Sequence, residues 1–283
     1  MEWKGNLRKL RPECARTASG TWSVSYTFQG AQILEPDAAW DLTEALGKRV
    51  CVESTGNRHC TVTGKRIRKA YGDGMSFDAW RTAPEAVESV LRPELSRIHE
   101  GIALRDAAWE RAHHLAPHVT YLSDTGAIKV GVTRSSNALT RWMDQGATAA
   151  IRVLDVPYRQ LAGEAEVALK AAFTDRTAVS AMLRAGAGDP EALVRAKDRA
   201  LDLLGEVYEP FMSDADEVDA FVYPVLQWPA RVKPVTLEKM PVIDGTLVAI
   251  KGAYLVWDTG AALNVRAHAG CEVKLSVDAA SVE

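Results

Sequence analysis

"YLSDTGAIKVGVTR", residues 121–134, reads as two short strands around a tight turn. "HVTYL" and "IKVGVT" are rich in β-branched and aromatic residues, and the Asp-Thr-Gly between them is turn chemistry. A helix start follows at once in "SSNALTRWMDQG", with Ser135 or Ser136 placed to cap it and Gly146 to stop it. "AAIRVLDV" supplies a third strand. "RQLAGEAEVALKAAF" is a helix with Leu161, Ala165, Ala168, Leu169 and Phe173 on one face. "TAVSAMLRAG" and "PEALVRAKDRALDLLGEVYEPF" extend the helical part.

On the N-terminal side, residues 20–30 alternate and form a strand, and "RVCVES" forms another. Pro-Asp at the start and Gly47 at the end predict a short helix over 36–48. "CTVTGKRIRKAYGDGMSFDAW" is rich in Gly and basic residues without clear periodicity. A helical pattern, broken at Pro93, is expected from Phe77 to about Ala116. The C-terminal side returns to strands, and "GTLVAIK", Gly252 and "AYLVWDTG" predict a bent hairpin or a bulged strand. Neither set of terminal strands makes a good sheet alone, so they are expected to pair with each other. The predicted class is α+β: a small three-stranded α/β domain, a β-rich domain formed from both chain ends, and a helical segment. The expected divisions are 1–60 (N-terminal β part), 61–116 (basic and helical), 117–212 (the α/β domain) and 213–283 (C-terminal β part packed with 1–60).

At 283 residues the chain is long for one core and short for three. Its apolar fraction of 47% and charged fraction of 25% are those of an ordinary globular protein. A net charge of −3 excludes a whole-protein basic field, so any nucleic-acid contact comes from a local patch. No apolar run reaches the roughly 18 residues of a membrane span, and the N-terminus has no apolar stretch of a secretory signal. A cytoplasmic protein with no membrane partner is the expectation by default. The cysteines at 14, 51, 60 and 271 are far apart and are expected to be reduced thiols, with Cys14, Cys51 and Cys271 as buried apolar residues in or near strands. His113, His114 and His118 cluster before the first strand of the hairpin, yet no regular spacing joins them to His99 or Cys60 as a zinc set.

The order Tyr121, turn, "KVG", Thr133, helical Arg141, third strand, helix with Glu164 or Glu166 resembles the GIY-YIG superfamily. The resemblance implies a three-stranded antiparallel sheet flanked by helices, with two Tyr, an Arg and a Glu lining one face. It implies that the Glu holds a divalent metal, the Arg steadies phosphate charge and a Tyr positions or activates the nucleophile. "VTY" sits where GIY would, so Tyr121 matches the first Tyr. "KVG" sits where YIG would, so Gly131 matches and Lys129 replaces the second Tyr, as "KIG" does in diverged phage-type branches. Arg141 matches the helical Arg, with Arg134 as the alternative, and Glu166 is the metal candidate. The superfamily's later Asn has no counterpart. The likeness covers about sixty residues.

A longer resemblance spans most of the chain. "HVTYLSDTGAIKVGVTR", "TRWMDQGA", "FTDRTAVSAML" and "GTLVAIKGAYLVWD…LNVR" are similar to the bacterial domain-of-unknown-function family 2797, which brings the same layout and no established activity. The resemblance implies several upstream cysteines at zinc-ligand spacing. Here only Cys60 stands, and Thr63, Ser76, Ala79 and Ser96 occupy the places where others would fall, so zinc is not expected and 61–116 reads as a diverged zinc-knuckle-like region.

A metal-dependent phosphodiester nuclease needs an acid for the cation, a cation near the phosphate and a positioned nucleophile. Tyr121, Lys129, Arg134, Arg141 and Glu166 are the candidates, with Glu166 as the ligand of Mg²⁺ or Mn²⁺, which needs only one or two carboxylates. The competing readings are structural: Tyr121 as a half-buried strand residue, Glu166 as a solvated helix acid paired to Lys170 at i+4, Arg141 bridged to Asp144 or Gln145. Lys65, Arg66, Arg68 and Lys69 beside Tyr71, together with Gln145, are candidates for contacting DNA or RNA, or a solvated turn in the first four cases. Three functions stay open: a GIY-YIG-type endonuclease, a non-catalytic nucleic-acid-binding module, and a small-molecule enzyme or binder reusing the same cleft. Oligomeric state is not legible.

Overall fold

The structure, a computed structural model, describes residues 1–174 and 177–278. The chain begins with five strands, β1 (Glu2–Leu7), β2 (Arg11–Arg16), β3 (Trp22–Gln32), β4 (Glu35–Asp41) and β5 (Arg49–Arg58). Two short helices follow, α1 (Phe77–Thr82) and α2 (Ala107–His114). Next come β6 (His118–Asp124), β7 (Ile128–Arg134), α3 (Ala138–Asp144), β8 (Ala149–Val156), α4 (Arg159–Leu169), α5 (Val179–Arg184) and α6 (Pro190–Leu204). The remaining strands are β9 (Asp219–Val222), β10 (Lys233–Val235), β11 (Val242–Lys251), β12 (Tyr254–Trp257), β13 (Ala261–Asn264) and β14 (Cys271–Val277). The class is α+β. Among the described residues no helix is long and apolar enough to cross a membrane.

The chain divides into two compact units. Unit 1 joins Met1–Ala18, Ser23–Arg81 and Tyr223–Glu283. Its strands are ordered β10-β13-β12-β11-β5-β14-β1-β3, with β2 and β4 also on β3. β5 lies antiparallel between β11 and β14, so a strand from the first sixty residues is zipped on both sides by strands from the last fifty. Asn6 is buried and fully used: its amide nitrogen donates to Gly270 O at 2.8 Å and meets His59 Nδ1 at 3.0 Å, while its oxygen accepts from Ile33 N at 3.1 Å. β11 and β12 form the antiparallel hairpin, and its register shifts between Leu247 and Ala249, the bulge expected in that stretch.

The helix predicted over 36–48 is not formed. β4 pairs antiparallel with β3, Trp40 opposite Phe28, and only a 3-10 turn follows at Thr43–Ala45. Tertiary packing overrides the local signals: the Trp40 ring lies 4.1 Å from that of Phe28 and 6.2 Å from that of Trp3. The long helical pattern from Phe77 to Ala116 is also corrected. Between α1 and α2 the backbone makes separate 3-10 turns at Pro84–Ala86, Glu88–Val90, Pro93–Leu95 and Ile98–Glu100. Pro84 and Pro93 each begin a turn, and the residue before each is driven out of the α region, Ala83 to ψ 129 and Arg92 to ψ 79.

Unit 2 holds Ser19–Trp22 and Thr82–Val222. Its strand order is β9-β8-β6-β7, all antiparallel, with β7 at the edge. One face of this sheet carries Leu122, Val130, Val132, Ile151 and Val153. They pack on Ala162, Ala165 and Leu169 of α4 and Leu193, Ala200 and Leu204 of α6. α6 starts with Asp189, whose carboxylate accepts from Ala192 N at 3.0 Å, and with Pro190 at its first turn. Alternation along β6 turns Tyr121 to the opposite face, where the Trp142 ring of α3 meets it edge-on at 5.7 Å; the Trp142 ring in turn lies 6.3 Å from that of Phe221.

Candidate functional site

Tyr121 stands at a β-bulge. On β8, Thr120 pairs with Leu154 while Tyr121 pairs with Arg152, so one residue of β8 is passed over at this point. On the other side Tyr121 lies directly opposite Gly131 of β7. A Cβ built on Gly131 would fall 2.6 Å from Tyr121 Oη and 2.7 Å from Cζ. The phenol ring therefore crosses the edge strand through the space that a side chain would fill. It is fully buried rather than half-buried.

The hydroxyl ends at α3. Gln145, the residue that closes that helix, sits 3.0 Å from Tyr121 Oη. With the Gln145 amide oriented so that its nitrogen donates to Oη, its oxygen accepts from Arg141 Nε and Nη2, both at 3.2 Å. Arg141 and Gln145 are one helical turn apart, so a single turn of α3 presents both to the phenol. Burial pushes the Tyr121 phenol up from its ordinary value, while the Arg141 guanidinium and Gln145 pull against it. α3 begins differently from expectation. A 3-10 turn at Ser135–Asn137 precedes it, and neither Ser135 nor Ser136 caps it; Asn137 occupies the cap position without a side-chain cap bond. Its stop is Gly146 at φ 69.

Glu166 lies on α4 with its side chain 12% exposed, and Lys170 Nζ is 3.5 Å from its Oε2. Burial raises the carboxyl above its ordinary value; Lys170 and Arg159 hold it down and the neighbouring Glu94 carboxylate pushes it up. Arg159 and Glu94 did not emerge from the sequence. Arg159 is the first residue of α4, where the helix dipole disfavours a cation, so its position needs other support. Its Nε and Nη2 donate to Ser89 O and Val90 O, both at 2.8 Å. Burial lowers it to about 10 even so, with Glu166 opposing and Arg141 and Arg134 adding to the fall. Glu94 arrives through close packing: a Cβ on Gly163 would lie 2.3 Å from Glu94 N, so the Pro93–Leu95 turn rests on the backbone of α4.

Arg134 closes β7 opposite His118, and its charge reaches Arg159, His114 and His118. His118 is buried, its Nδ1 donates to Ala116 O at 2.7 Å, and Nε2 has no hydrogen-bond partner among the described residues. Burial lowers His118 to about 4 and His114 to about 3, so both are neutral near pH 7. Lys129 stands on β7 two residues before Gly131, on the same face of that strand. Unit 2 thus gathers Tyr121, Gln145, Arg134, Arg141 and Glu166 with Arg159 and Glu94. The charges of three guanidiniums and two carboxylates act within this one neighbourhood, an excess of positive charge that favours an anion. Among the described residues no group of three or more His, Cys, Asp and Glu is placed to hold a metal ion.

Lys65, Arg66, Arg68 and Lys69 belong to unit 1 and are all exposed; Lys69 Nζ sits 5.0 Å from the centre of the Tyr71 ring. Nearby, Cys60 Sγ accepts from Ser76 N at 3.1 Å and Thr63 N at 3.4 Å. Burial raises that thiol, but bonds from Thr63, Ser76 and Val62 more than offset it and leave it at about 7. Of the other cysteines, Cys271 is buried whereas Cys14 and Cys51 are only partly so, and all four are free thiols.

A family model described as a protein of unknown function, DUF2797, matches residues 47–273, which is most of both units. No curated protein and no solved structure matches the chain.

Proposed function

Because the chain belongs to the DUF2797 family, whose description assigns no activity, we propose from the unit 2 geometry that it acts on nucleic acid as a divalent-metal-dependent endonuclease of the GIY-YIG type. The observation that carries this reading is the Tyr121–Gln145–Arg141 chain of hydrogen bonds in the same cluster as Glu166. The Tyr, Arg and Glu that the resemblance assigns to phosphodiester chemistry come from β6, α3 and α4, and their charges act on one another.

Arg141 and Arg159 neutralise phosphate charge, and Arg134 adds to the positive field. Gln145 holds the phenol and the guanidinium in fixed relation, which orients Tyr121 Oη toward the nucleophile. Glu166 holds the cation, with Glu94 as a second carboxylate, a donor set that suits Mg²⁺ or Mn²⁺. The burial that lifts the Glu166 carboxyl supports this fit, since a bound cation would offset it. A bound Mg²⁺ would act there as a Lewis acid on the phosphoryl oxygen. DNA or RNA is the partner.

A second reading, a non-catalytic binding module, is favoured by Lys129 in the place of the second Tyr and by the complete burial of Tyr121. Incubation of the full chain with single- and double-stranded DNA and RNA and Mg²⁺ or Mn²⁺ tests both. Cleavage that disappears in Glu166→Ala and Arg141→Ala supports the nuclease. Salt-dependent gel shifts without turnover leave the binding module, and absence of both cleavage and binding ends the nucleic-acid reading.

A further inference from the structure

Unit 1 contains an open groove of about 840 Å³ that the unit 2 chemistry does not use. It originates in an irregularity of β5. That strand pairs with β14 in register from Val50↔Val277 to Ser54↔Val273, and pairing resumes at Arg58↔Cys271. Thr55, Gly56 and Asn57 therefore stand opposite the single residue Glu272. Thr55 Oγ1 and Asn57 Nδ2 donate to Glu272 Oε2 at 2.6 and 3.0 Å, so one carboxylate fixes the looped segment. Gly56 takes φ 77, and a Cβ there would meet no atom within 4 Å, so the loop faces open space. Bulges of this kind interrupt pairing and re-aim side chains beside binding sites.

Charge is concentrated in the groove. Arg58, Arg66 and Arg68 line it with one carboxylate, Glu238. That carboxylate is already engaged: Arg58 Nη2 lies 3.2 Å from Glu238 Oε1. Arg58 is further fixed by donating from Nε and Nη2 to Cys271 Sγ at 3.0 and 2.8 Å. Arg66 and Arg68 differ. Both are exposed, and neither side chain has a hydrogen-bond or ion-pair partner among the described residues. The segment carrying them is anchored by Ile67 N, which donates to Arg58 O at 2.9 Å. A chain of net charge −3 thus holds two exposed guanidiniums, and a third fixed one, around one concavity.

We propose that this groove binds a phosphate ester, with Arg66 and Arg68 as its clamp. Guanidinium forks match phosphate oxygens bidentately, which a lone ammonium does not. The volume falls in the range of about 300 to 1,000 Å³ typical of small-ligand sites and exceeds what a bare phosphate fills. Ile67, Leu237 and Pro241 add apolar surface for the rest of the ligand. A sugar phosphate is the shared chemistry, carried by a nucleotide or by a nucleic-acid strand. The proposal does not rest on the nuclease reading of unit 2.

The test uses the full chain in a Glu166→Ala/Arg141→Ala background, so that the unit 2 site is disabled. Binding of a labelled single-stranded oligonucleotide, a nucleoside monophosphate and inorganic phosphate is measured at two salt concentrations, with and without Arg66→Ala/Arg68→Ala. Both substituted side chains are exposed, so the fold is expected to persist. The double substitution should weaken binding of the ester by roughly tenfold or more. For a strand it should also lower the log–log salt slope by about 1.4. Preference for the oligonucleotide identifies a strand; equal or tighter binding of the monophosphate identifies a nucleotide. Binding of neither ester, or affinity unchanged by the substitutions, overturns the proposal.

Discussion

Tyr121 Oη occupies the space beside Gly131 that any other residue would claim, 2.6 Å from the position of its Cβ. Gly131 does not have a positive φ, so alanine costs it no backbone strain and would ordinarily stabilise a strand slightly. The ring reverses that sign. Gly131→Ala should destabilise by roughly 1–3 kcal/mol, the usual cost of overpacking. In a Tyr121→Ala background most of the penalty should vanish, because the two residues are coupled through one contact. Urea denaturation of the four proteins measures this; an equal penalty in both backgrounds would refute the packing account.

Gly163→Ala should behave the same way for a different reason. Inside a helix this change normally gains up to about 1 kcal/mol. Here the added methyl would meet Glu94 N at 2.3 Å and the Pro93 carbonyl carbon at 2.5 Å, and both are backbone. The turn must move off α4, taking Glu94 away from Glu166. A lower denaturation midpoint together with lost metal-dependent cleavage is expected. A variant more stable than the parent would show that the turn yields freely.

His118 and His114 set a pH dependence whose sign follows from burial beside Arg159 and Arg134. His118 falls from 6.5 to about 4 on folding, so between those values the unfolded chain binds the proton first. Its stabilising effect is complete above pH 6.5 and is lost as pH falls toward 4. At about 1.4 kcal/mol for each tenfold change in proton affinity, the contribution is roughly 3 kcal/mol. His118→Asn should flatten the fall of the urea midpoint between neutral and mildly acid pH. An unchanged slope would assign the effect to other groups.

The parts of this architecture that sequence reveals are those governed by local periodicity. The alternation in β6 and β7, the Asp-Thr-Gly between them and the apolar stripe of α4 each mark their element within a dozen residues. Residues 36–48 misled because Pro36, Asp37 and Gly47 are genuine local helix punctuation, and what overrides them is Trp40 stacking on Phe28 from another strand. At the site, Tyr121, Arg141, Gln145 and Glu166 fall within one short stretch of strand, helix, strand and helix. Arg159 and Glu94 carry no such mark. Glu94 comes from a segment whose placement depends on two prolines and on a glycine seventy residues away, and Arg159 is held by carbonyls of that same segment.

Glu166→Gln separates a functional carboxylate from a structural one. Burial raises the folded-state value of this acid above its unfolded one, so the folded chain binds the proton more tightly. Stability from this group is therefore present at low pH and falls as pH rises through the raised value, which leaves the ionised form a net cost at neutral pH. Glutamine removes the charge and keeps the shape. It gives up the 3.5 Å pair with Lys170, a partly exposed contact worth at most about 0.5 kcal/mol, and the attraction of Arg159, which the burial cost outweighs. The variant should match or exceed the parent in urea midpoint at pH 7, and its excess should shrink as the pH is lowered. If the acid holds the cation, metal-dependent cleavage should fall by roughly two orders of magnitude in the same protein. Stability and activity falling together would make Glu166 a packing residue, and undiminished cleavage would move the metal elsewhere.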